Sequence, residues 1–374
     1  MKLVIAEKPS VARDLGRALG ATVKSKGALT GKGWTVTWCI GHLVELDDPE
    51  SYDPDWKRWS FATLPMLPQK FRLRPSKRTL DQWRIVRDLL RRKDFESVVN
   101  ACDAGREGEL IFRYAYALAK SKLPIERLWI SSLTPAAISA GFRQLRPGKA
   151  YAGLAAAARC RSEADWLVGL NATRAMTLTS TRKGVHSVGR VQTPTLALVV
   201  ARELAIRSFA TKPFWELQAR AGDNLSTKWR APTGETRLAT KELALALEQR
   251  VRDAMPLVVG HVTNKETRER PPQLFDLTSL QRAANTRFGL SADRTLTLLQ
   301  ALYERHKAIT YPRTSSRYLS SDQRPTLPGL VAAFDKHPTY GPHAARLADK
   351  PLSVTASVVD DSKVTDHHAI IPTG

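Results

Sequence analysis

Three carboxylates fall within seven residues in the stretch NACDAGREGELIF, residues 100–112. They belong to Asp103, Glu107 and Glu109, and an apolar run leads into them. Glu7 likewise closes the apolar run of residues 3–6. In a parallel α/β sheet, functional groups gather at the carboxyl ends of the strands. Crowded carboxylates repel one another unless a cation neutralises them, and Mg²⁺ prefers such oxygen ligands and often bridges to phosphate. The spacing therefore predicts a magnesium site that meets a phosphate.

A structural alternative exists for some of these acids. Carboxylates are also favoured in the first turn of a helix by the helix dipole. That alternative is the stronger one for Glu109, and it equals the metal hypothesis for Glu107. It does not explain Glu7 and Asp103, because each closes an apolar strand. Lys8 beside Glu7 could protonate a leaving oxygen, pair with a phosphate, or be an ordinary solvated lysine.

A tyrosine with cationic neighbours stands in ITYPRTSSRYLS, residues 309–320. A tyrosine can be a covalent nucleophile, but its ordinary pKa near 10 makes it slow unless cations support the phenolate. Arg313 could supply that charge and grip a phosphate through two hydrogen bonds. The alternative is a buried tyrosine at the end of a helix pair, and on this stretch alone it is the stronger reading of Tyr311.

Two further stretches suit phosphate contact. SVGRVQTPTLALVV, residues 187–200, places small and polar residues before an apolar helix, although an ordinary loop and cap would look alike. The paired histidines of TDHHAIIPT, residues 365–373, suit a metal, a phosphate or a polar turn. GALTGKGW, residues 27–34, lacks the spacing of a nucleotide phosphate loop and indicates a hairpin turn, so we expect no ATP use.

Charge indicates the partner. The chain has 374 residues, 58 Lys+Arg against 36 Asp+Glu, and a net charge of +22. Such an excess favours a nucleic acid over an anionic membrane or a merely solvated surface, because the basic residues are spread along the chain. The three cysteines are too far apart for a disulfide framework or a zinc ribbon. With no signal peptide or apolar run of membrane-spanning length, we expect a cytoplasmic protein.

The order of elements predicts an α/β domain followed by helical and mixed domains. Strands are expected at residues 3–6, 33–46 and 97–102. Three helices are expected between and after them: one that begins at its N-cap Ser10, one at residues 80–93, and one that begins at residue 110. Residues 151–207 are expected to be helical and residues 213–262 strand-rich at both ends, with a linker at 268–273. Residues 276–310 are again expected to be helical, with Ser291 as an N-cap.

Eight stretches together resemble type IA DNA topoisomerases, and among them the bacterial topoisomerase III branch. In family order they are KLVIAEKPSVAR, TWCIGHLVEL, ACDAGREGELIF, ADWLVGLNATRA, SVGRVQTPTLALVV, PPQLFDLTSLQRAAN, ITYPRTSSRYL and DHHAIIPTG. The resemblance implies a Toprim domain at residues 1–150, a helical DNA-binding domain at 151–210, a strand-rich arch at 211–275 and a helical domain at 276–374 that carries the tyrosine.

The resemblance also implies the chemistry. Mg²⁺ would be held by Glu7, Asp103 and Glu107. Tyr311 would attack a DNA phosphodiester, giving a 5′-phosphotyrosine and a free 3′-hydroxyl, while Lys8 protonates the departing oxygen and Glu7 positions or deprotonates it for resealing. Arg313 and His367 would contact the reacting phosphate. The single strand would run along Trp59, Trp166, Arg174, Ser187, Val188, Gly189, Arg190, Val191 and Gln192.

The implied activity is relaxation of negative supercoils or decatenation without ATP, by a monomer associated with the nucleoid, with a helicase as a candidate partner. Two departures from the family stand out: Gly105 replaces an aspartate that many members carry, and the chain stops close to the paired histidines. We therefore expect a truncated ring whose strand passage is in doubt. The alternatives are another Toprim enzyme, such as a nuclease or primase, and a DNA-binding fragment without turnover.

Overall fold

The computed structural model describes residues 1–130, 133–256, 258–348, 352, 354–365 and 367–373. Its contacts divide the chain into two compact units, Met1–Arg190 with Pro271–Gly374, and Val191–Arg270. The four-domain division expected from the sequence stays a prediction. No helix in the described ranges is both long enough and apolar enough to cross a membrane.

The first unit opens with alternating strands and helices. In chain order these are β1 (Lys2–Ala6), α1 (Pro9–Leu19), β2 (Val23–Ser25), β3 (Ala28–Gly31), β4 (Trp34–Trp38), β5 (Val44–Leu46), α2 (Pro49–Tyr52), β6 (Leu73–Pro75), α3 (Leu80–Arg91), β7 (Ser97–Ala101), α4 (Arg106–Ala119), β8 (Ile125–Arg127), α5 (Pro135–Arg143), β9 (Arg146–Pro147) and α6 (Ala152–Thr179).

A seven-stranded sheet in the order β2-β3-β4-β1-β7-β8-β9 lies at the centre of this unit. Its inner strands are parallel: β1 pairs with β4 and β7, and β7 pairs with β8. The outer pairs are antiparallel. Ala6 lies beside Ala101 in the register of β1 and β7, so the residues that follow these two strands emerge at the same edge. The predicted parallel α/β sheet is confirmed.

The sheet is covered on both faces, as parallel sheets generally are. Alternate residues of β1 point to opposite faces. Leu3 and Ile5 pack in one apolar cluster with residues of α3 and α4. Val4 packs in a second cluster with residues of α1 and α5. The central strands are therefore fully buried, which fixes the edge at which the acidic residues emerge.

Two local predictions were wrong. Residues 33–46 form two strands rather than one, because the chain turns at Gly41, whose φ of +64° suits glycine, and β5 pairs with β6 in a separate sheet. Ser10 is not the cap of α1. The N-cap is Lys8, and Pro9 occupies the first helical position, where its missing N–H costs nothing.

The second unit and the remaining chain are mostly helical. The second unit contains α7 (Gln192–Arg207), β10 (Gln218–Ala221), β11 (Leu225–Lys228) and α8 (Lys241–Asp253). Within residues 213–262, the strands β10 and β11 lie near the N-terminal end, whereas residues 256 and 258–262 at the other end form no strand. The prediction of strands at both ends was therefore wrong for the second end. The first unit ends with α9 (Leu277–Phe288), α10 (Ala292–Glu304), α11 (Leu327–Ala332) and α12 (Gly341–Ala348). The predicted cap of α10 is confirmed: Ser291 accepts a hydrogen bond from the Arg294 N–H at 3.1 Å.

Candidate active site

The Tyr311 hydroxyl lies at the carboxylate edge of the sheet. Lys8 Nζ is 3.1 Å from Tyr311 Oη and 3.1 Å from Asp103 Oδ2. It is also 3.5 Å from Glu7 Oε1. Glu7 and Lys8 come directly after β1, and Asp103 follows the neighbouring β7, so the sheet register places them side by side. Four of the predicted site residues are therefore brought together within the first unit.

The two residues that precede Tyr311 are paired with a segment near the C-terminal end of the chain, and this pairing holds the tyrosine in place. The Thr310 N–H donates to the Ile371 carbonyl at 2.9 Å, and Ile309 pairs with Pro372 in an isolated bridge. His367 lies just before the paired segment. Its ring centroid is 4.4 Å from that of Tyr311, and its Nε2 is 3.3 Å from Asp103 Oδ2. The paired-histidine stretch thus contributes one histidine directly to the cluster.

The cluster holds opposite charges in a half-buried setting. Burial and the negative charge of Asp103 raise the pKa of Glu7 above its ordinary value of 4.5. Burial also acts on Asp103, but hydrogen bonding from His367 and the charge of Lys8 outweigh it and lower the pKa to about 2. Asp103 is thus ionised at neutral pH.

Lys8 is the cation of the cluster. Burial disfavours its charged form, but the carboxylates of Asp103 and Glu7 outweigh burial and raise the pKa of the ammonium above its usual value. At neutral pH Lys8 therefore carries a proton that it can share with an oxygen held close to Tyr311. The arrangement suits donation of a proton to a leaving group.

In the part of the chain that the structure describes, Arg313 makes no polar contact with this cluster, although it is two residues from Tyr311. Pro312 and Thr314 are buried on either side of it, and Thr314 Oγ1 donates to the His367 carbonyl at 2.8 Å. Arg313 itself is exposed, and among the described residues it has no hydrogen bond or ion pair. With respect to the described residues, its guanidinium is therefore available to a phosphate.

Glu107 does not join the other two predicted metal ligands. Its Oε1 lies 2.5 Å from His42 Nε2, and its side chain is 70% exposed. In the described part of the chain, no three acidic, histidine or cysteine side chains are grouped as a metal site. The oxygens of Glu7 and Asp103 fit a hard cation such as Mg²⁺, whereas a site with three carboxylates would require Glu107 to leave His42.

A buried network behind Asp103 was not expected from the sequence. Arg127 and Glu109 are each only 1% exposed, and Arg127 Nε lies 3.2 Å from Glu109 Oε2. That N–H is not aligned with the oxygen, so the contact is a charge pair rather than a hydrogen bond. Arg127 Nη2 donates to the Asp103 carbonyl at 2.7 Å, and Nη1 donates to the carbonyls of Asn100, Cys102 and Leu128. Arg127 thus fixes the turn that presents Asp103.

The structural interpretation of Glu109 therefore fits the structure better than a metal role. Glu109 lies in the first turn of α4 and also accepts hydrogen bonds from Asn100 Nδ2 at 2.9 Å and Arg113 Nε at 2.8 Å. The single arginine in the stretch IERLWI, residues 125–130, was the only sequence signal for its partner Arg127. Buried charges are normally paired, so that arginine required a hidden acid.

The aromatic residues predicted along the DNA path are partly structural. Trp166 Nε1 donates to the Asp47 carbonyl at 3.0 Å, and its ring packs edge-on against Tyr52 and Phe71. Arg174 is buried, with its guanidinium carbon 5.3 Å from the Trp59 ring centroid. Trp59 remains 38% exposed, so part of its ring is accessible.

The loop at residues 187–192 crosses the boundary between the two units. In the first unit, Ser187 is exposed, and the Val188 N–H donates to Thr173 Oγ1 at 2.9 Å. Gly189 follows, and Arg190 forms two hydrogen bonds to Asp165, at 2.7 and 2.9 Å. In the second unit, Val191 caps α7 and Gln192 begins it. Arg190 is thus paired with a carboxylate, and a phosphate would compete with that pair.

Comparison with known proteins identifies the family. Residues 2–133 match the Toprim domain model, and residues 149–374 match the model of the DNA topoisomerase family. The chain belongs to the type IA DNA topoisomerases. It is 47% identical to DNA topoisomerase 3 of Bacillus cereus over 372 residues, which are 99% of this chain and 50% of the relative. It is also 47% identical to DNA topoisomerase 3 of Shouchella clausii over 373 residues, 100% of this chain and 51% of the relative.

The chain therefore spans about half the length of the curated relatives that it matches. Among solved structures, full-length topoisomerase I from Thermotoga maritima matches with a TM-score of 0.60 and 20% sequence identity. That match covers 100% of this chain and 55% of the other. At this identity the match shows the fold, and it agrees with the expected Toprim and helical architecture.

Proposed function

We propose that this chain cleaves and rejoins single-stranded DNA through a covalent bond between Tyr311 and a 5′ phosphate. The observation that carries the proposal is the position of Lys8, whose ammonium contacts both the Tyr311 hydroxyl and the Asp103 carboxylate. A nucleophile, a proton donor and an acidic pocket are the groups that transfer of a phosphodiester to an alcohol requires.

The proposed step exchanges one phosphoester for another. The Tyr311 oxygen forms a bond to phosphorus, the bond from phosphorus to the 3′ oxygen breaks, and Lys8 delivers a proton to that oxygen. Lys8 regains a proton from the phenol, so the net transfer is from tyrosine to the 3′-hydroxyl. Rejoining reverses the step: the 3′-hydroxyl attacks phosphorus, its proton passes to Lys8, and Lys8 returns a proton to the departing phenolate. Glu7 would position that hydroxyl. Because the bond energy is retained, no ATP is needed.

Two other features support the proposal. Residues 27–34 belong to a hairpin rather than a phosphate loop: residues 28–31 form β3, and the chain turns at residues 32–33 into the antiparallel strand β4. Mg²⁺ bound by Glu7 and Asp103, and by Glu107 after it leaves His42, would neutralise phosphate charge. Arg313 is free to contact the same phosphate, which would stabilise charge in the transition state.

The remaining parts of the proposal concern the whole protein. The net charge of +22 and the exposed basic and aromatic residues near Trp59 and Arg190 would hold a single strand. The substrates would be negatively supercoiled or linked DNA, acted on by a monomer in the cytoplasm beside the nucleoid. A helicase would supply single strands.

The deciding experiment detects the covalent intermediate. A single-stranded oligonucleotide labelled at its 3′ end is incubated with the chain and Mg²⁺, then denatured and resolved by electrophoresis. We expect label to migrate with the protein and to map to Tyr311. Tyr311→Phe should give no adduct while binding the oligonucleotide within about 2-fold of wild type, since it loses one hydroxyl. Tyr340→Phe, at an exposed tyrosine, is the matched control.

The same experiment judges the alternatives. An adduct that persists in Tyr311→Phe would move the nucleophile to another residue. Cleavage by the wild type without any adduct would favour a nuclease of the Toprim class, and binding without cleavage would favour a DNA-binding role.

A further inference from the structure

His42 lies in the loop between β4 and β5, at the edge of the sheet where the acidic residues emerge. The Cys39 N–H donates to the Ala6 carbonyl at 2.8 Å, so this loop starts beside the end of β1. Leu43, which follows His42, is 1% exposed and packs in an apolar cluster with residues of β1. The loop is therefore anchored on both sides of the histidine.

Glu107, which contacts His42, is the less constrained partner of the pair. It follows the N-cap Gly105 of α4 by two positions, and its side chain is 70% exposed, against 37% for His42. Among the described residues, its carboxylate has no hydrogen bond or ion pair other than the one with His42 Nε2. Both side chains line a cavity of about 450 Å³. Rotation of the Glu107 side chain alone can therefore exchange the histidine for another partner.

The charge at this edge favours the contact between Glu107 and His42. Asp103 has a pKa lowered to about 2, so it is ionised at neutral pH. A further carboxylate placed beside Asp103 and Glu7 would be repelled unless a cation balanced the charge. A magnesium ion reverses that balance, because it attracts an additional oxygen ligand of opposite charge.

We propose that His42 is a positioning residue that holds Glu107 away from the magnesium site until the cation draws the carboxylate across. The inference rests on the metal site of the proposed function, and it adds a residue that the sequence did not nominate. His42 thus lowers the affinity for the cation, and its effect passes through Glu107. An exposed ion pair contributes little, so the effect should be about 2- to 5-fold.

The first measurement follows the binding of Mn²⁺, as a substitute for Mg²⁺, by the loss of the free-ion signal in electron paramagnetic resonance. It uses the full chain with Tyr311→Phe and no DNA, so it requires no cleavage. We expect His42→Ala to bind Mn²⁺ about 2- to 5-fold more tightly. His42→Gln retains a side-chain N–H for Glu107 and should bind like the parent. His261→Ala, at an exposed histidine of the second unit, is the control.

Glu107→Ala distinguishes a positioning role from a general structural one. Alone, it should weaken the binding of Mn²⁺ about 3-fold or more, because a ligand is lost. Addition of His42→Ala to Glu107→Ala should then change nothing, since the histidine has no carboxylate left to hold. A histidine with a merely structural role would change the affinity by the same factor with and without Glu107.

The second measurement uses the chain with Tyr311 and the oligonucleotide. The Mg²⁺ concentration that gives half of the maximal rate of adduct formation should fall by about 2- to 5-fold in His42→Ala, in agreement with the binding of Mn²⁺. An unchanged or raised concentration would contradict the proposed role of His42.

The outcomes separate this inference from the phosphotyrosine. Affinity for Mn²⁺ that is equal or lower in His42→Ala would overturn the inference, and so would an increase that persists in Glu107→Ala. A chain that binds no Mn²⁺ would overturn it together with the metal part of the proposed function. Absence of any adduct would instead refute the phosphotyrosine, and the Mn²⁺ titrations would then decide the role of His42.

Discussion

Lys8 connects the nucleophile with both acidic strand ends. Its contacts to Tyr311 Oη and Asp103 Oδ2 are both 3.1 Å long. From the local sequence alone, Lys8 could equally be a solvated residue. The structure instead gives it two carboxylate neighbours, which keep the ammonium protonated at neutral pH and hold it against the Tyr311 hydroxyl.

Lys8→Gln should slow covalent adduct formation about 100-fold or more, because protonation of the leaving oxygen contributes about 10²–10⁴ in rate. Affinity for the oligonucleotide should change by less than about 3-fold. The rates are measured in single turnover at saturating DNA. Replacing the 3′ oxygen at the break by sulfur should restore most of the rate to Lys8→Gln, since a thiolate leaves without a proton. If sulfur gives no rescue, Lys8 has another role.

Residue types and spacing were sufficient to nominate Glu7 and Asp103, whereas Tyr311 became the candidate nucleophile only through the resemblance. They could not show that Glu107 contacts His42 or that Arg127 lies under Asp103. Those contacts depend on side-chain directions at the ends of three different strands, and no periodic pattern in the sequence encodes them. The assignment of Glu107 as a metal ligand accordingly stays a prediction.

At the scale of elements, the junction of β7 and α4 positions the acidic turn. Gly108 lies in the first turn of α4, where a Cβ atom would sit 2.2 Å from the Asp103 carbonyl oxygen and 2.8 Å from its nitrogen. These are backbone atoms that Arg127 also holds, so they cannot move aside easily. The glycine is therefore required by close approach rather than by its backbone angles.

Gly108→Ala should destabilise the chain by about 1–3 kcal/mol, a usual cost of overpacking, and should strongly reduce adduct formation. Gly153→Ala is the control, because a Cβ atom there meets nothing within 4 Å in helix α6. That change should stabilise by up to about 1 kcal/mol. Urea unfolding measures both effects. Equal stability of Gly108→Ala and wild type would show that the turn relaxes freely.

A second prediction concerns Glu126 in β8, whose side chain forms hydrogen bonds with residues of β1 and β7. Its carboxylate accepts hydrogen bonds from Lys2 Nζ at 2.8 Å and Ser97 Oγ at 2.6 Å. Burial raises the pKa of Glu126, but these hydrogen bonds outweigh burial and lower it below its ordinary value of 4.5. A lowered pKa in the folded state means that the stabilisation is present above pH 4.5 and is lost as the pH falls through the folded pKa.

Glu126→Gln should therefore cost about 1 kcal/mol in the free energy of unfolding at pH 7, because the pair is partly exposed. The difference from wild type should shrink as the pH falls below about 4.5, the ordinary pKa. Glu96→Gln, which affects an exposed pair with the N-terminus, is the control and should show little effect. A difference that is constant with pH would assign the loss to packing rather than charge.

The elements themselves were largely predictable. Short apolar runs correctly predicted the strands β1 and β7, and Ser291 correctly predicted where α10 begins. The failures have local causes: alternation across residues 33–46 continued through Gly41, where the backbone turns, and Pro9 displaced Ser10 from the cap position. Where a glycine or proline interrupts a periodic pattern, that one residue determines where the helix or strand begins or ends.

At the scale of the whole molecule, the central contact joins residues that are 303 positions apart, Lys8 and Tyr311. Local periodicity carries no information at that separation, so composition and spacing alone left Tyr311 as an ordinary buried tyrosine. The resemblance across eight motifs joined the two halves of the site, and the structure shows the contact.

The net charge of +22 leads to a prediction about the salt dependence of DNA binding, which concerns the whole chain rather than one residue. Binding of a single strand releases counterions, and the logarithm of the association constant falls with the logarithm of salt with a slope of about −0.7 per phosphate contacted. For about six phosphates, doubling the salt concentration should weaken binding roughly 20-fold. Anisotropy of a labelled oligonucleotide with Tyr311→Phe measures this without cleavage.

The rate of adduct formation at saturating DNA should respond differently, changing by less than about 2-fold over the same salt range. The contact between Lys8 and Asp103 is part-buried, and partly buried pairs are screened much less than surface charges. A steep loss of affinity with a constant rate would assign the scattered basic residues to capture of the strand and the cluster around Tyr311 to chemistry. Affinity that is insensitive to salt would contradict the polyanion partner that the charge of the chain indicates.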